Sequence, residues 1–413
     1  MKILAVHNSY QQPGGEDRVF SQECNLLRRA GHQLISYERS NREISGLSSL
    51  GKALVLPKTL WASDTRREFL SVLRREKPDV VHVHNTFVVI SPSIYSACRE
   101  AGVPVVQTLH NFRLLCPAAE LSREGQVCEE CLTHGLFRGV RYGCYRDSRV
   151  ATATVAATVA WHRGLGTWSE GIDAYIALSE FARGKFVEGG LPASRIWVKP
   201  NFVDPDPGEG LGPRSHAVFV GRLSKVKGVY TLLQAWSHLE NRIPLVIAGD
   251  GPERTGMERE AARLGLTGVE FRGLLSNAET IRAMQQARIL VFPSEWYENF
   301  PVTIAESFAC GTPVLCSRLG SMREIVEEGR LGLHFETGDA RDLARQAAYA
   351  WDHPEEIRCI GREVREEYER KYTAQANCPQ LIAIYEEVKA RRRLRSTSEG
   401  ERQNFNQRGK VTT

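Results

Sequence analysis

Short apolar runs alternate with longer amphipathic segments along most of the 413-residue chain. The runs have the length of buried strands, and the segments between them repeat apolar residues at helical spacing. Strands that alternate with helices are typical of a parallel sheet covered by helices. The strand-like runs lie at residues 3–6, 79–84, 103–110, 174–178, 195–199, 216–220, 244–248, 269–273, 289–292 and 313–316.

The chain is too long for one ordinary hydrophobic core, because a single core stops growing at roughly 250–300 residues. Residues 204–213 are rich in proline and glycine and are predicted to be a linker. We therefore predict an α/β fold of two doubly wound, Rossmann-like domains, 1–203 and 214–371, that face each other across a cleft. A helix at 372–393 is expected to cross back to the first domain. Residues 394–413 lack apolar periodicity and are expected to form a disordered basic tail.

The net charge of +5 is mild and gives no argument for a nucleic-acid partner. No apolar run approaches the roughly 20 residues of a membrane span, and the amino-terminal segment does not resemble a secretion signal. We expect a cytoplasmic protein with mostly reduced cysteines. Residues 46–77 carry apolar side chains between basic ones, which is typical either of peripheral contact with the inner face of a membrane or of a solvated helix.

The stretch 294–309 follows an apolar strand-like run. It is predicted to form a loop and then a helix that begins near Pro301, with Asn299 as the cap. Free N–H groups at a helix start bind phosphate. Glu298 precedes this start and Glu306 lies one to two turns inside the helix. The two carboxylates therefore suit the hydroxyls of a sugar and of a ribose on either side of a pyrophosphate, unless they are solvated surface glutamates.

Two further loops follow strand-like runs, where parallel sheets bind ligands. Gly14 and Gly15 lie between the first strand and the first helix, where they either admit a phosphate or sugar close to the backbone or form an ordinary turn. The loop 221–228 carries Arg222 and Lys227, whose cations would neutralise a leaving diphosphate without a metal unless the loop is a solvated basic turn.

Two histidines end neighbouring strand-like runs, His84 in the run at 79–84 and His110 in the run at 103–110. The carboxyl end of a parallel strand is where ligands bind, so His110 is a candidate site residue. The alternative is a histidine that a neighbouring side chain satisfies.

Cys116, Cys128, Cys131 and Cys144 form a Cys-x-x-Cys pair flanked by two single cysteines. In a reducing compartment this grouping favours a structural zinc that holds a loop-rich insertion at about 113–147. The outer spacing differs from that of paired zinc knuckles. Buried or free thiols are therefore the alternative, with redox or disulfide chemistry third.

Taken together, the motifs resemble the retaining GT-B glycosyltransferases of family four, also called group 1. The resemblance covers about residues 1–390, and the chain departs from the family at Gly320-Ser321, where two glycines are common. Four motifs carry it, at residues 221–228, 249–252, 298–306 and 311–314.

The resemblance implies a role for each matching residue of the second domain. Arg222 and Lys227, on the loop that begins at Gly221, would bind the donor diphosphate. Glu298 would bind hydroxyls of the transferred sugar, and Glu306 would bind those of the ribose.

The same resemblance implies further donor contacts. Gly14 and Gly15 would close on the donor from the first domain, and His110 would contact the sugar close to the reacting carbon. The nucleobase would lie near Arg272 and Gly273, where it would be recognised mostly by the backbone. The backbone on the carboxyl side of Glu298 would lie against the phosphate and the sugar, at Asn299, Phe300 and Pro301.

The implied reaction moves a hexose, with retained configuration, from a UDP or GDP sugar to a hydroxyl. No metal or other cofactor is required for catalysis, since Arg222 and Lys227 neutralise the leaving diphosphate. No residue need form a covalent sugar intermediate, since the leaving phosphate takes the acceptor's proton. The acceptor is expected to be a lipid-linked or growing glycan of envelope or exopolysaccharide synthesis. The alternatives are a non-catalytic nucleotide-sugar or glycan binding protein of a polysaccharide assembly complex and another GT-B enzyme, such as an epimerase. A nicotinamide dehydrogenase is disfavoured, because no complete Gly-x-Gly-x-x-Gly follows the first strand.

Overall fold

The computed structural model describes residues 1–11, 14–44 and 49–408, with the side chains of 49–54 and 395–408 left out. The strands of the first half are β1 (Lys2–Ser9), β2 (Gln33–Ser40), β3 (Val80–Val83), β4 (Val105–Thr108), β5 (Ser122–Arg123), β6 (Gln126–Val127), β7 (Ala174–Ala177) and β8 (Ile196–Val198). Its helices are α1 (Gly15–Arg29), α2 (Ser49–Leu60), α3 (Ser63–Glu76), α4 (Ser93–Ala101), α5 (Glu130–His134), α6 (Phe137–Tyr142), α7 (Arg149–Gly164) and α8 (Glu180–Glu188).

The second half repeats the alternation of strand and helix. Its strands are β9 (His216–Val220), β10 (Leu245–Ala248), β11 (Val269–Gly273), β12 (Ala287–Phe292), β13 (Val314–Ser317) and β14 (Gly332–Phe335). Its helices are α9 (Val229–Ser237), α10 (Arg254–Arg263), α11 (Asn277–Gln286), α12 (Val302–Ala309), α13 (Gly320–Ile325), α14 (Ala340–Asp352), α15 (Pro354–Lys371) and α16 (Ala374–Arg408).

Two six-stranded sheets organise the molecule, in the orders β2-β1-β3-β4-β7-β8 and β11-β10-β9-β12-β13-β14. The strand pairs of both sheets are parallel. The strand order reverses direction at β1 and β3 in the first sheet and at β9 and β12 in the second. Loops diverge at such switch points and leave a crevice at the carboxyl ends of the strands.

The predicted pair of doubly wound α/β domains is confirmed. Every predicted strand-like run lies in one of the two sheets. Most of these strands are largely apolar, because a parallel strand is covered on both faces, whereas the edge strand β11 alternates apolar and charged side chains. The pattern missed β2 and β14, which are edge strands. Strand β2 alternates polar and apolar side chains, so it contains no apolar run.

The carboxyl-terminal helix α16 packs its buried residues Leu381, Tyr385 and Val388 against the first sheet, in one cluster with Ile3 and Val106. It continues to Arg408, where we had expected a disordered tail from residue 394. Leucine, arginine, glutamate and glutamine favour helix, and no proline follows in this segment, so the helix extends beyond its packed part. Residues 409–413 lie outside the described part of the chain.

The basic segment at 46–77 begins with residues outside the described part and continues as α2 and α3. The apolar side chains of α3, Phe69 and Leu73 among them, are buried in the protein core. Arg66 and Arg74 both pair with Glu100. The apolar face of α3 is therefore covered by protein. Among the described helices, none is long and apolar enough to cross a bilayer.

Substituting Gly228 is expected to destabilise the second domain. Its φ is +65°, and a Cβ there would lie 1.8 Å from the carbonyl oxygen of Pro293. We predict that Gly228→Ala lowers the free energy of unfolding by about 1–3 kcal/mol in urea titration. Gly184→Ala in α8, where a Cβ meets nothing within 4 Å, is the control and should raise that free energy by about 0.5–1 kcal/mol. Equal effects of the two substitutions would contradict the prediction.

Candidate functional site

A cavity of about 340 Å³ lies between the carboxyl edges of the two sheets. This volume is in the range of small-molecule sites, roughly 300–1,000 Å³. The cavity brings together most of the residues that the sequence singled out. Those that line it are Gly15, His110, Lys227, Glu298, Asn299, Phe300 and Pro301.

The loop after β9 supplies the cations of the second domain. Lys227 ends a short 3-10 helix, and its Nζ lies 2.5 Å from Glu298 Oε1. Arg222 is exposed and forms no ion pair with any described residue. Its guanidinium interacts electrostatically with Glu120, which lines the cavity. Burial raises the pKa of the Glu120 carboxyl, and the Arg222 guanidinium is one of the charges that oppose this rise.

The buried Glu298 carboxylate accepts three hydrogen bonds on one oxygen. Ser294 Oγ lies 2.7 Å from Oε1, the indole nitrogen of Trp296 lies 2.8 Å away, and Lys227 completes the set. No described residue donates to the other oxygen, Oε2. The hydroxyl of Ser321, where a second glycine was expected, donates to the Glu298 carbonyl at 2.6 Å. The residue is therefore held firmly while one carboxylate oxygen stays available to a ligand.

Helix α12 begins at Val302, and no side chain caps its start. Its N-cap is Pro301, so the prediction that Asn299 caps the helix is wrong. The Asn299 amide instead donates to the Leu109 carbonyl of the first domain at 2.5 Å. Its Oδ1 is buried without a donor among the described residues. An uncapped helix start with a free acceptor beside it suits an anion that also carries hydroxyls.

Glu306 lies deeper in α12, outside the cavity lining, and is 5% exposed. Its Oε1 lies 2.9 Å from Nη1 of Arg18, at the start of α1 in the first domain. Burial raises the pKa of the Glu306 carboxyl, and the Arg18 guanidinium opposes this rise. The contact places Arg18, a cation of the first domain, beside Glu306, the residue that is predicted to bind the ribose.

The first domain contributes two histidines to the cavity region. His110 Nε2 and His84 Nδ1 are 2.9 Å apart. Burial, followed by the charge of His84, holds the pKa of His110 well below its ordinary value. His110 therefore lines the cavity and also bonds to a neighbouring side chain through Nε2, and its role as a site residue stays a prediction.

The glycine pair opens helix α1. Gly14 is the N-cap, and its N–H donates to Asp17 Oδ2 at 2.7 Å. Gly15 lines the cavity together with Glu16. Asn111 donates to Glu16 Oε2 at 3.3 Å, while Oε1 is buried without a donor among the described residues. Burial, with the neighbouring Asp17 charge, raises the pKa of Glu16 to about 8.

Arg272 is not brought to the cavity. Its guanidinium forms two hydrogen bonds of 2.9 Å with Glu270 on the same strand, β11. Side chains two residues apart lie on the same face of a strand, so this pairing is local and leaves the guanidinium on the sheet surface. The predicted contact between Arg272 and a nucleobase stays a prediction.

The four cysteines of the insertion are free thiols, with Cys116 buried and the others half-buried. The neighbouring Cys131 thiol lowers the pKa of the Cys116 thiol to about 6, helped by nearby backbone N–H groups and opposed by burial. In the described part of the chain, the four thiols do not form a group of three close enough to share one ion. Zinc binding here stays a prediction.

Sequence reasoning assigned no role to Glu16, Arg18 or Trp296. Glu16 and Arg18 lie directly after the Gly14-Gly15 turn, in the first helical turn of α1. That position beside a glycine loop could have indicated both residues as candidates for the site. Trp296 lies two residues before Glu298 in the same loop. Its indole contact with the carboxylate depends on loop conformation and left no pattern in the sequence.

Two family models match the chain: the one described as Glycosyl transferases group 1 at residues 212–367 and the one described as Glycosyltransferase Family 4 at 13–207. The chain is 26% identical to 2-deoxystreptamine glucosyltransferase of Streptomyces kanamyceticus, over 92% of this chain and 93% of that protein. It is 30% identical to D-rhamnosyltransferase WbpZ of Pseudomonas aeruginosa, over 40% of this chain and 43% of that protein.

The fold resembles that of Anabaena Alr3699/HepE in its complex with UDP, with a TM-score of 0.66 at 18% identity. The match covers 93% of this chain and 99% of that chain. At this identity the likeness bears on the fold alone, and it confirms the GT-B architecture.

The raised pKa of Glu16 predicts a loss of stability as pH rises. The folded state keeps a proton that the unfolded state releases near pH 4.5, the ordinary value, so stability falls as pH rises towards about 8. We predict that the unfolding free energy of Glu16→Gln, relative to that of wild type, rises by on the order of 4 kcal/mol between about pH 5 and pH 9. Parallel pH profiles in urea titration would contradict this. Glu366→Gln, at an exposed carboxylate, is the control and should follow the wild-type profile.

Proposed function

The chain belongs to the group 1 glycosyltransferases of family 4, and we propose that it moves a hexosyl group from a nucleoside diphosphate sugar to a hydroxyl with retained configuration. One observation carries the proposal. Glu298 gives one carboxylate oxygen to three donors and keeps the other free, next to Lys227 and the uncapped start of α12. This combination suits a group that is a diphosphate at one end and a sugar at the other.

The diphosphate would lie against the start of α12, with Arg222 and Lys227 beside it. Cations and free N–H groups there stabilise the negative charge that develops as the bond to the sugar breaks. Arg18 supplies a third cation from the first domain, beside Glu306. Glu306 is proposed to bind the ribose, and Arg18 then lies within reach of the phosphates.

The sugar would be oriented by the free oxygen of Glu298 and by His110. Orientation lowers the barrier, because the acceptor hydroxyl and the sugar carbon are held in reacting geometry. The leaving phosphate is proposed to take the acceptor's proton on the same face of the sugar. No protein carboxylate then forms a covalent bond with the sugar. A glycosidase needs two carboxylates flanking the bond, and this proposal needs only the donor's own phosphate.

The acceptor is proposed to be a lipid-linked or growing glycan of polysaccharide synthesis. Helices α6 and α7, which pack together, carry exposed side chains that support lipid contact. Phe137 is 74% exposed and Trp161 is 54% exposed. Arg138, Arg149 and Arg163 lie on the same two helices, and cationic side chains near exposed aromatic ones favour an anionic bilayer.

Turnover decides the proposal. The purified protein is incubated with UDP and GDP sugars and two acceptors, a free oligosaccharide and a lipid-linked one in anionic vesicles. Release of the diphosphate is followed together with the anomeric configuration of the product. We expect turnover with one nucleotide and a retained configuration. Donor binding without any turnover would favour a binding protein, and an inverted product would overturn the mechanism.

Arg222 and Arg272 provide a matched test of the donor site. Arg222 has no ion pair among the described residues, whereas Arg272 is engaged by Glu270. We predict that Arg222→Ala weakens binding of the preferred nucleoside diphosphate roughly tenfold or more in calorimetry, because a charge-assisted contact is lost. Arg272→Ala should change the affinity less than about twofold. Glu306→Ala should also weaken binding, and an unchanged affinity would remove its proposed ribose contact.

Metal independence predicts that chelation leaves turnover intact. Neutralisation of the diphosphate is assigned to Arg222, Lys227 and the start of α12, so a divalent ion has no necessary place at the leaving group. EDTA should leave the initial rate within about twofold of the untreated rate, with metal content measured in parallel. Immediate loss of activity without unfolding, reversed by a divalent ion, would show a catalytic metal.

A further inference from the structure

A buried cluster of charged and polar side chains lies next to His110. Glu23 of α1, His82 of β3, His84 after β3 and Lys199 after β8 are each at most 4% exposed. In the described part of the chain, Glu23, His82 and His84 lie close enough together to share a metal ion. However, Lys199 Nζ already lies 3.3 Å from Glu23 Oε2. An ammonium at this distance opposes a second cation, so we interpret the cluster as a protein network.

One path through this network leads from Glu23 to His110. Glu23 Oε1 lies 3.2 Å from His84 Nε2, in an electrostatic contact that lacks the alignment of a hydrogen bond. The other nitrogen of His84, Nδ1, lies 2.9 Å from His110 Nε2. His110 Nδ1 has no hydrogen bond to any described residue. The path therefore ends at a ring nitrogen that is free for a ligand.

The charges along this path follow from the surroundings. Burial opposes the charged form of Glu23, but Lys199 and His82 hold its pKa well below the ordinary value. Burial, followed by the charge of His82, lowers the pKa of His84 to about 4. Burial and His84 lower that of His110 as well. At neutral pH, Glu23 is thus an anion and both histidines of the path are neutral rings.

A neutral imidazole has one N–H donor and one lone pair. A lone pair on His84 Nε2 would face an anionic oxygen at 3.2 Å, so the proton of His84 belongs on Nε2. His84 Nδ1 is then an acceptor, and its partner at 2.9 Å must be the N–H of His110 Nε2. It follows that His110 carries its lone pair on Nδ1.

We propose that Glu23 and His84 are positioning residues that hold His110 in the Nε2–H form, so that His110 Nδ1 accepts a hydrogen bond from a hydroxyl of the donor sugar. The inference rests on the proposed function for the presence of that sugar. The sugar would then donate one hydroxyl hydrogen bond to a histidine nitrogen, His110 Nδ1, and another to a carboxylate oxygen of Glu298. Neither Glu23 nor His84 touches the sugar in this arrangement.

The rest of the cluster borders this path, since His82 Nδ1 lies 3.0 Å from Glu23 Oε1. His82 lies 2.8 Å from Thr108 Oγ1 and 2.7 Å from the Tyr385 hydroxyl of α16. Lys199 donates to Asn377 Oδ1, also of α16, at 2.8 Å. Tyr385 therefore contacts the same buried cluster through His82, and in the described part of the chain it forms no hydrogen bond with Glu23, His84 or His110. This makes Tyr385→Phe a matched control for variants on the path.

The tautomer is measured by 15N NMR of the full-length protein, because a protonated and an unprotonated imidazole nitrogen differ strongly in chemical shift. Signals are assigned from the spectra of His84→Phe and His110→Gln. We expect wild-type His110 to be protonated on Nε2. Glu23→Gln should mix the two tautomers, since an amide both donates and accepts, whereas Tyr385→Phe should leave them unchanged. A wild-type His110 protonated on Nδ1 overturns the proposal, whether or not turnover is found.

Kinetics test the consequence with the same variants. Glu23→Gln and His84→Phe should each lower kcat roughly tenfold to a hundredfold through loss of one oriented hydrogen bond. The donor KM should stay within about twofold, because Arg222 and Lys227 are untouched. In a His110→Ala background, adding Glu23→Gln should cost nothing further, since its effect passes through His110.

Additive losses in that double variant, or a wild-type kcat in both single variants, overturn the proposal while leaving the proposed function intact. If wild type turns over no donor, the proposed function fails and the 15N spectra still decide the tautomer. Glu23→Gln removes the partner of Lys199 and could prevent folding. His84→Phe then serves in its place, because it keeps the ion pair between Glu23 and Lys199 and replaces one ring with another. Melting temperatures of all variants, with Tyr385→Phe beside them, separate instability from a loss of kcat.

Discussion

A parallel sheet leaves a crevice at its carboxyl edge wherever neighbouring strands connect to opposite faces. Two such crevices face each other in this protein, after β1 and β3 in one sheet and after β9 and β12 in the other. The chemistry of the cavity follows from this constraint, since Glu16 follows β1, Lys227 follows β9 and Glu298 follows β12, while His110 follows β4, the neighbour of β3. The first domain provides His110 and Arg18, and the second provides Lys227, Glu298 and Glu306.

Because the site is divided between two domains, contacts across the cleft decide whether it is assembled. Asn299 donates to the Leu109 carbonyl, and Ser179 donates to the Asn299 carbonyl at 3.2 Å. Arg18 reaches Glu306 from the other side. Each contact joins a group beside the proposed donor site to the opposite domain, so donor binding and domain closure are coupled in the proposed mechanism.

Most of the fold could be predicted from the sequence. Covered parallel strands are apolar along their whole length, which made β3, β7, β10 and β13 visible, whereas the polar edge strand β2 was not. At the site, Glu298 and Lys227 were found from their places beside a strand end and a helix start. Arg272 was assigned by resemblance, but its guanidinium is paired locally with Glu270. Asn299 was expected to cap its own helix, and its amide instead bonds across the cleft.

The sequence by itself determined the two-domain α/β architecture, the order of strands and helices, and the loops on which the reactive groups lie, because these follow from local periodicity and from residues near one another in the chain. Only the tertiary structure decided which groups meet. The Lys227 contact with Glu298, the Arg18 contact with Glu306, and the alignment of Glu23, His84 and His110 join residues from separate elements. Their distances depend on how the sheets and domains pack, and packing leaves no periodic pattern in the chain.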